Sequence, residues 1–244
     1  MAISGLLEAL GDIGAILTGG HFIYTSGKHG SAYVNKDAVY PHTLLVSGIC
    51  ENIAKHLADL KPEVVAGPAV GGVILSQWTA YHLSQMLHYR VAGVYAERRE
   101  YAIFKADQNE TWYDLAGKRE RFSPGEELVV KESAFVLKRG YDKLVEGKRV
   151  LVVEDVITTG GTVKKIVRAV RERGGTVVGI GALCNRGQIN AMDFGITGAA
   201  PQLYSELVLP LEAWPENECK LCAQNVPINT NVGKGREFLS RRGK

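Results

Sequence analysis

The chain has 244 residues, 45% of them hydrophobic and 23% charged, and 29 basic against 26 acidic side chains leave a net charge of +3. That is ordinary globular composition, which excludes a disordered or fibrous chain, and the charge is too mild to argue for a nucleic-acid partner. No apolar run is long enough to cross a membrane. Met1 to Gly14 carries Glu8 and Asp12 and no basic cluster before an apolar stretch, so no signal peptide is read and a cytoplasmic protein is expected.

Ile3, Leu6, Leu7, Leu10, Ile13 and Leu17 recur at helical spacing and predict a helix over 3–17, ended by Gly19-Gly20. A second helix is predicted over 43–60, with Pro62 as its stop. Glu63 to Ala66 reads as a short strand broken at Gly67-Pro68. A helix then runs from about Gly72 to Leu87, and a strand follows over Arg90 to Tyr95. Residues 101–133 are rich in charge and without a clean period, and read as an inserted loop or hairpin.

Arg149 to Val153, apolar after its first residue, fits a strand buried on both faces of a parallel sheet. Gly160-Gly161, a helix over about 162–173, and a second buried strand over 176–184 complete a βαβ unit. Residues 202–211 alternate weakly, as an edge strand would. Residues 212–244 read as an irregular appendage, and its basic last residues as a solvated end. The expected architecture is a single α/β domain: an open, mostly parallel sheet flanked by helices.

The chemistry concentrates at Val152-Val153-Glu154-Asp155-Val156-Ile157-Thr158-Thr159-Gly160-Gly161-Thr162. A buried strand ends in two adjacent carboxylates, and a small, hydroxylated loop opens a helix. Ligands of open α/β sheets bind beyond the carboxyl ends of the strands. Thr158, Thr159, Gly160, Gly161 and Thr162 would aim backbone N–H groups and hydroxyls at one spot, where the helix N-terminus adds positive potential: a phosphate cradle. Glu154 and Asp155 are set to accept hydrogen bonds from a diol. Together they suit a sugar phosphate. There is no Walker loop, and Gly179-Ile180-Gly181 lacks the third glycine of the dinucleotide fingerprint.

Residues 152–162 resemble the phosphoribosyl-diphosphate (PRPP) motif of type I phosphoribosyltransferases. Within that family the orotate phosphoribosyltransferases are most similar. Phe22 to Tyr33 resembles their Ser-Gly-Lys segment, Gly67-Pro68-Ala69-Val70-Gly71-Gly72 their diphosphate loop, Glu97-Arg98-Arg99-Glu100 their Arg-Lys-Glu segment, and Asn185-Arg186 their Asp-Arg pair. The resemblance covers roughly residues 1–100 and 134–190. It implies the type I phosphoribosyltransferase fold with a small hood, and transfer of the 5-phosphoribosyl group from PRPP to a heterocyclic base, orotate first, with release of diphosphate and with Mg2+.

By the same resemblance, Asp155 and Glu154 are catalytic, Ala69, Val70, Gly71, Gly72, Arg98 and Arg99 hold the diphosphate, and Lys28 and Arg186 meet the base. A closing-loop lysine comes from Lys105, Lys131 or Lys138, with Lys138 chosen, and the enzyme is a homodimer. Taken alone, 69–72 is also a plain strand-to-helix turn, Lys28 a solvated loop lysine and Arg186 half of a surface ion pair. Two departures stand out: arginine replaces lysine at Arg99, and Asn185 stands where the family has Asp. A purine phosphoribosyltransferase and a non-catalytic PRPP-sensing regulator are the alternative functions.

Cys219 and Cys222 make half of a structural zinc site. There is no second C-x-x-C, no His beyond residue 88, and Cys184 falls in a core strand. They read as two reduced cysteines, and no metal held by protein side chains is expected.

Overall fold

The structure is a computed structural model that describes residues 3–106, 109–114, 127–194 and 202–243. The first helix, α1 (Ile3–Asp12), buries Leu6 and Leu10 and stops before Leu17. Gly14 adopts φ +69 and the Ala15 N–H bonds back to Leu10, a left-handed cap that ends a helix. Ile16 and Leu17 therefore open a strand. β1 (Ile16–Ile23) pairs antiparallel with β2 (His29–Val34), and together they form the hood hairpin.

The central sheet follows from βαβ units. α2 (Thr43–Leu57) leads to β3 (Val64–Pro68), α3 (Gly71–Leu87) to β4 (Ala92–Ala106), α4 (Tyr141–Val145) to β7 (Arg149–Ile157), α5 (Gly161–Glu172) to β8 (Thr176–Asn185), and β9 (Gln202–Val208) is the parallel edge. Between β4 and α4 the chain adds β5 (Asn109–Asp114) and β6 (Glu127–Leu137), both antiparallel to β4. The strand order is β5-β4-β3-β7-β8-β9, with β6 also on β4.

Side-chain alternation along β7 feeds both faces. Leu151 and Val153 join Ile49, Ile53, Leu75 and Leu83 of α2 and α3 in one core. Val150 and Val152 join Val163, Ile166, Val167 and Val170 of α5 in the other. Those four α5 residues are its i, i+3, i+4, i+7 stripe, so sequence periodicity translates directly into a buried face.

Strand β4 does not end at Tyr95 but runs on through Ala106. Its register shows where the extra length goes. Ala92 to Ala96 pairs with β3 on one edge, and Ala96 to Lys105 pairs with β6 on the other. β5 pairs with Tyr101 to Ala106, a stretch that β6 already covers on its own edge, so β5 lies on the β3 side. The three strands form a ribbon that continues past the carboxyl end of β3.

The C-terminal part is ordered against the hood. α6 (Lys220–Ala223) and α7 (Gly235–Arg242) are short helices, and the basic end is helical rather than frayed. Backbone bridges join His29 to Trp214 and His21 to Ile228. Among the described residues no helix is long and apolar enough to cross a membrane.

Candidate active site

The sheet's buried middle strand delivers the acids. Glu154 and Asp155 are the sixth and seventh residues of β7 and remain buried at 5% and 7% exposure, although both are ionisable. Their neighbours explain how this is tolerated. Asp155 receives the Lys36 ammonium at 2.7 Å and the Tyr40 hydroxyl at 3.2 Å, and its Oδ1 accepts from the Val156 N–H at 2.7 Å. Glu154 Oε1 accepts from the Asp155 N–H at 3.1 Å, but Oε2 is buried with no hydrogen-bond partner in the protein. Burial, and then the Asp155 charge beside it, push the Glu154 carboxyl well above the usual carboxylate range. Burial depresses the Lys36 ammonium, but the Asp155 charge and hydrogen bond outweigh it, so that its pKa ends raised.

Immediately beyond, Thr158 to Thr162 wraps the start of α5. Gly160 takes φ +72, a left-handed turn whose α-carbon faces the Phe194 ring, where a Cβ would lie 2.8 Å from a ring carbon. A cavity is lined by Glu154 and by 156–163. Its lining includes the start of α5, where the first N–H groups of a helix have no intrahelical acceptor. The five cradle residues named from the sequence are therefore contiguous around one cavity, with Glu154 on its wall.

The loop Ala69–Gly72 follows β3 into α3, and the Ala69–Val70 peptide is cis. Gly71 approaches the acids so closely that a Cβ there would lie 2.0 Å from Asp155 Oδ2 and 2.4 Å from the Tyr40 hydroxyl. This juxtaposition joins the 69–72 loop to the acid pair.

The remaining expected residues separate. Arg186 follows β8, with its guanidinium 4.3 Å from the centre of the Tyr24 ring and its Nε buried without a partner. Tyr24 belongs to the hood loop and donates to the Ala32 carbonyl at 2.6 Å. Lys28 is exposed at that loop's end, where its carbonyl accepts from the Tyr24 N–H. Asn185 is occupied locally by both sides of its amide bonding to Ile189, at 2.7 and 3.2 Å. Arg98 and Arg99 are consecutive on β4 and so point to opposite faces. Arg98 leans towards Glu100 at 3.7 Å.

Leu137 is opposite Ala96, so Lys138 stands level with Tyr95, where the chain turns into α4 and away from the carboxyl edge. The strands that do rise past that edge are those carrying Lys105 and Lys131, both within paired stretches of the ribbon. Sequence reasoning missed Lys36 and Tyr40. Lys36 opens a 3₁₀ turn after β2, and only the return of the hairpin to the sheet brings it to Asp155.

With this geometry established, the comparisons become informative. The phosphoribosyl transferase domain model matches residues 35–193, a span from the turn holding Lys36 to the turn that carries Phe194, the cradle's neighbour. An orotate phosphoribosyltransferase of Caldicellulosiruptor saccharolyticus is 33% identical over 222 residues, covering 91% of this chain and 92% of that one. Another, of Pelotomaculum thermopropionicum, is 34% identical over 214 residues, covering 88% of each. Among solved structures, the orotate phosphoribosyltransferase from Aeropyrum pernix shares the fold with a TM-score of 0.51 at 22% identity, covering 84% of this chain and 93% of that one.

Proposed function

Because the chain belongs to the phosphoribosyltransferase family, with orotate phosphoribosyltransferases among its relatives, we infer that it transfers the 5-phosphoribosyl group from PRPP to orotate and releases diphosphate. The observation that carries this reading is the acid pair: Asp155 held by Lys36 and Tyr40, Glu154 with an unpartnered buried oxygen, both beside a phosphate cradle. A buried oxygen without a partner is costly unless a ligand supplies one.

The 5-phosphate seats on the 158–162 loop, and the ribose hydroxyls reach the acids one step back on β7. Fixing the sugar at both ends fixes C1, the reacting carbon. As the C1–diphosphate bond breaks, positive charge builds on the ribose ring, and acid oxygens fixed beside it stabilise that charge more than they stabilise the neutral ground state. The Lys36 ammonium and the Tyr40 hydroxyl orient Asp155. The 69–72 loop offers backbone N–H groups to the leaving diphosphate.

Oxygen-only groups in this position suit a hard divalent cation, and Glu154 Oε2 and Asp155 are the protein oxygens nearest it. When bound with PRPP, Mg2+ offsets the charge of the leaving group. On the base side, Arg186 has a buried Nε without a partner and a guanidinium held 4.3 Å over the Tyr24 ring, which suits a planar carboxylate. The position of β5 on the β3 side of β4 supports the reading that the ribbon is the closing element over the diphosphate. A homodimer in the cytoplasm is the assembly expected from the family.

Diphosphate release from PRPP and Mg2+, measured with orotate, uracil, adenine and hypoxanthine, tests the reading. Orotate alone should support turnover, because a site built around a carboxylate rejects an analogue lacking it. Turnover with a purine and none with orotate would overturn the choice of base, and no release with any base would overturn the enzyme.

A further inference from the structure

Far from the acids, the hood hairpin and the C-terminal segment meet around four side chains: His21, His29, Cys219 and Cys222. The first three are buried and Cys222 is half-buried, and one ligand atom from each lies within 4.8 Å of all the others. Two imidazole nitrogens and two sulfurs thus converge on a common centre. From the geometry we propose that this is a structural zinc site, closing the hood by joining its two halves across some two hundred residues of sequence.

The distances have the right scale. Tetrahedral zinc, with Zn–N near 2.05 Å and Zn–S near 2.3 Å, sets N···N at about 3.3 Å and N···S at about 3.6 Å. His21 Nε2 and His29 Nδ1 are 3.0 Å apart, Cys219 Sγ is 3.5 Å and Cys222 Sγ 3.8 Å from His21 Nε2, and Cys222 Sγ is 3.3 Å from His29 Nδ1. These four separations lie within about 0.3 Å of the tetrahedral values, and all six lie within 4.8 Å.

The surroundings orient the ligands. His21 Nδ1 donates to the Val226 carbonyl at 2.9 Å, which leaves the Nε2 lone pair facing the centre. The Cys222 N–H donates to Cys219 Sγ at 3.4 Å, so that the C-x-x-C turn presents both sulfurs on one side. The two histidines are also the residues through which the hairpin bridges Ile228 and Trp214. Backbone pairing thus sets the ring positions independently of the side chains.

A His–His hydrogen bond alone would account for the 3.0 Å contact but would need neither cysteine. Two sulfurs and two nitrogens select zinc by their softness and tetrahedral arrangement. An iron–sulfur cluster of the His2Cys2 kind puts its histidines and cysteines on different irons, too far apart for four ligand atoms within 4.8 Å. All four positions are filled by protein, so the site is structural rather than catalytic. The sequence offered only half of it because the missing ligands lie upstream in the hairpin, where no C-x-x-C or H-x-x-x-H spacing marks them. The proposal is independent of the transferase reading. A metal-free protein would overturn it whatever base is used, and an inactive protein with zinc would leave it standing.

The test uses the full chain, purified under reducing conditions without a metal-affinity tag. Elemental analysis should find about one zinc per chain. After chelation, Co2+ titration should give the intense visible bands of a tetrahedral ion and thiolate charge transfer, both bleached by stoichiometric Zn2+. Removing the metal should lower Tm by about 5 °C or more, restored by Zn2+ but not by Mg2+. The Cys219→Ser/Cys222→Ser double variant should lose the ion. Zinc below about a tenth of an equivalent with no Co2+ bands overturns the site, as does a folded double variant that keeps its zinc. If that variant fails to fold, the Co2+ titration of the wild-type chain decides alone.

Discussion

Replacing Gly71 by Ala adds one methyl group whose carbon, built on the observed backbone, lies 2.0 Å from Asp155 Oδ2 and 2.4 Å from the Tyr40 hydroxyl. Contacts below 3.0 Å do not persist, so the carboxylate or the loop must retreat by about 1 Å. The backbone at Gly71 is not left-handed, so alanine itself is unstrained there and the backbone N–H is retained. The damage is confined to the spacing between the 69–72 loop and the acid. A displacement of about 1 Å in a group that positions the reacting carbon costs roughly 10²-fold in rate. The crowding should cost about 1–3 kcal/mol, or roughly 2–10 °C in Tm for a chain of this size. Steady-state diphosphate release with PRPP and orotate, alongside a thermal melt, measures both. A Gly71→Ala enzyme within about threefold of wild-type kcat would show that Asp155 and this loop do not act on one ligand.

Asp155→Asn removes the charge that Lys36 neutralises and should lower kcat by about 10²-fold or more in a chain whose circular dichroism is unchanged; normal kinetics would remove Asp155 from the mechanism. Arg186→Leu should raise KM for orotate by roughly 10- to 100-fold and leave KM for PRPP within about twofold, the scale of a lost charged hydrogen bond; an unmoved orotate KM would refute the base contact. Glu154 gives a pH signature. Its folded pKa lies above the unfolded 4.5, so the folded state holds the proton more tightly, and that contribution is present below 4.5 and lost as pH rises through the folded value. Glu154→Gln should therefore match wild type in Tm at acid pH and exceed it increasingly above pH 4.5; a Tm difference flat with pH would refute the assignment.

The parallel core was legible because its signals are local. Arg149 to Val153 is apolar on both faces, and the 163, 166, 167, 170 stripe of α5 declares its buried side. The cradle was legible for the same reason, with all five residues adjacent in sequence. What escaped depends on pairing between distant segments. β1 holds Gly19-Gly20 and a register shift, so it carries no alternation to read, and Leu17 continues the helical period of α1 by coincidence. Lys36 reaches Asp155 only because the hairpin returns to the sheet. The height of Lys138 relative to the sheet likewise depends on pairing, because β6 runs antiparallel to β4 with Leu137 opposite Ala96. The mixed charge of 101–133 read as an inserted loop or hairpin, and its described stretches are antiparallel strands laid on an extended β4.

The hood is built from two pieces made at opposite ends of synthesis. The His21 ring is anchored on Val226, a separation of 205 positions, and the Ile23 carbonyl accepts from Lys234. By the time residue 226 leaves the ribosome every strand of the sheet has already emerged, and the phosphate cradle can form from segments close together in the chain. The hairpin cannot take its final place until that late segment arrives, and closing so long a loop is the slow, entropically costly step. The order of manufacture therefore runs cradle first and base side last. A nascent or truncated chain ending before residue 214 would hold the acid pair and the 158–162 loop while lacking the segment that anchors His21, Ile23 and His29 of the hairpin.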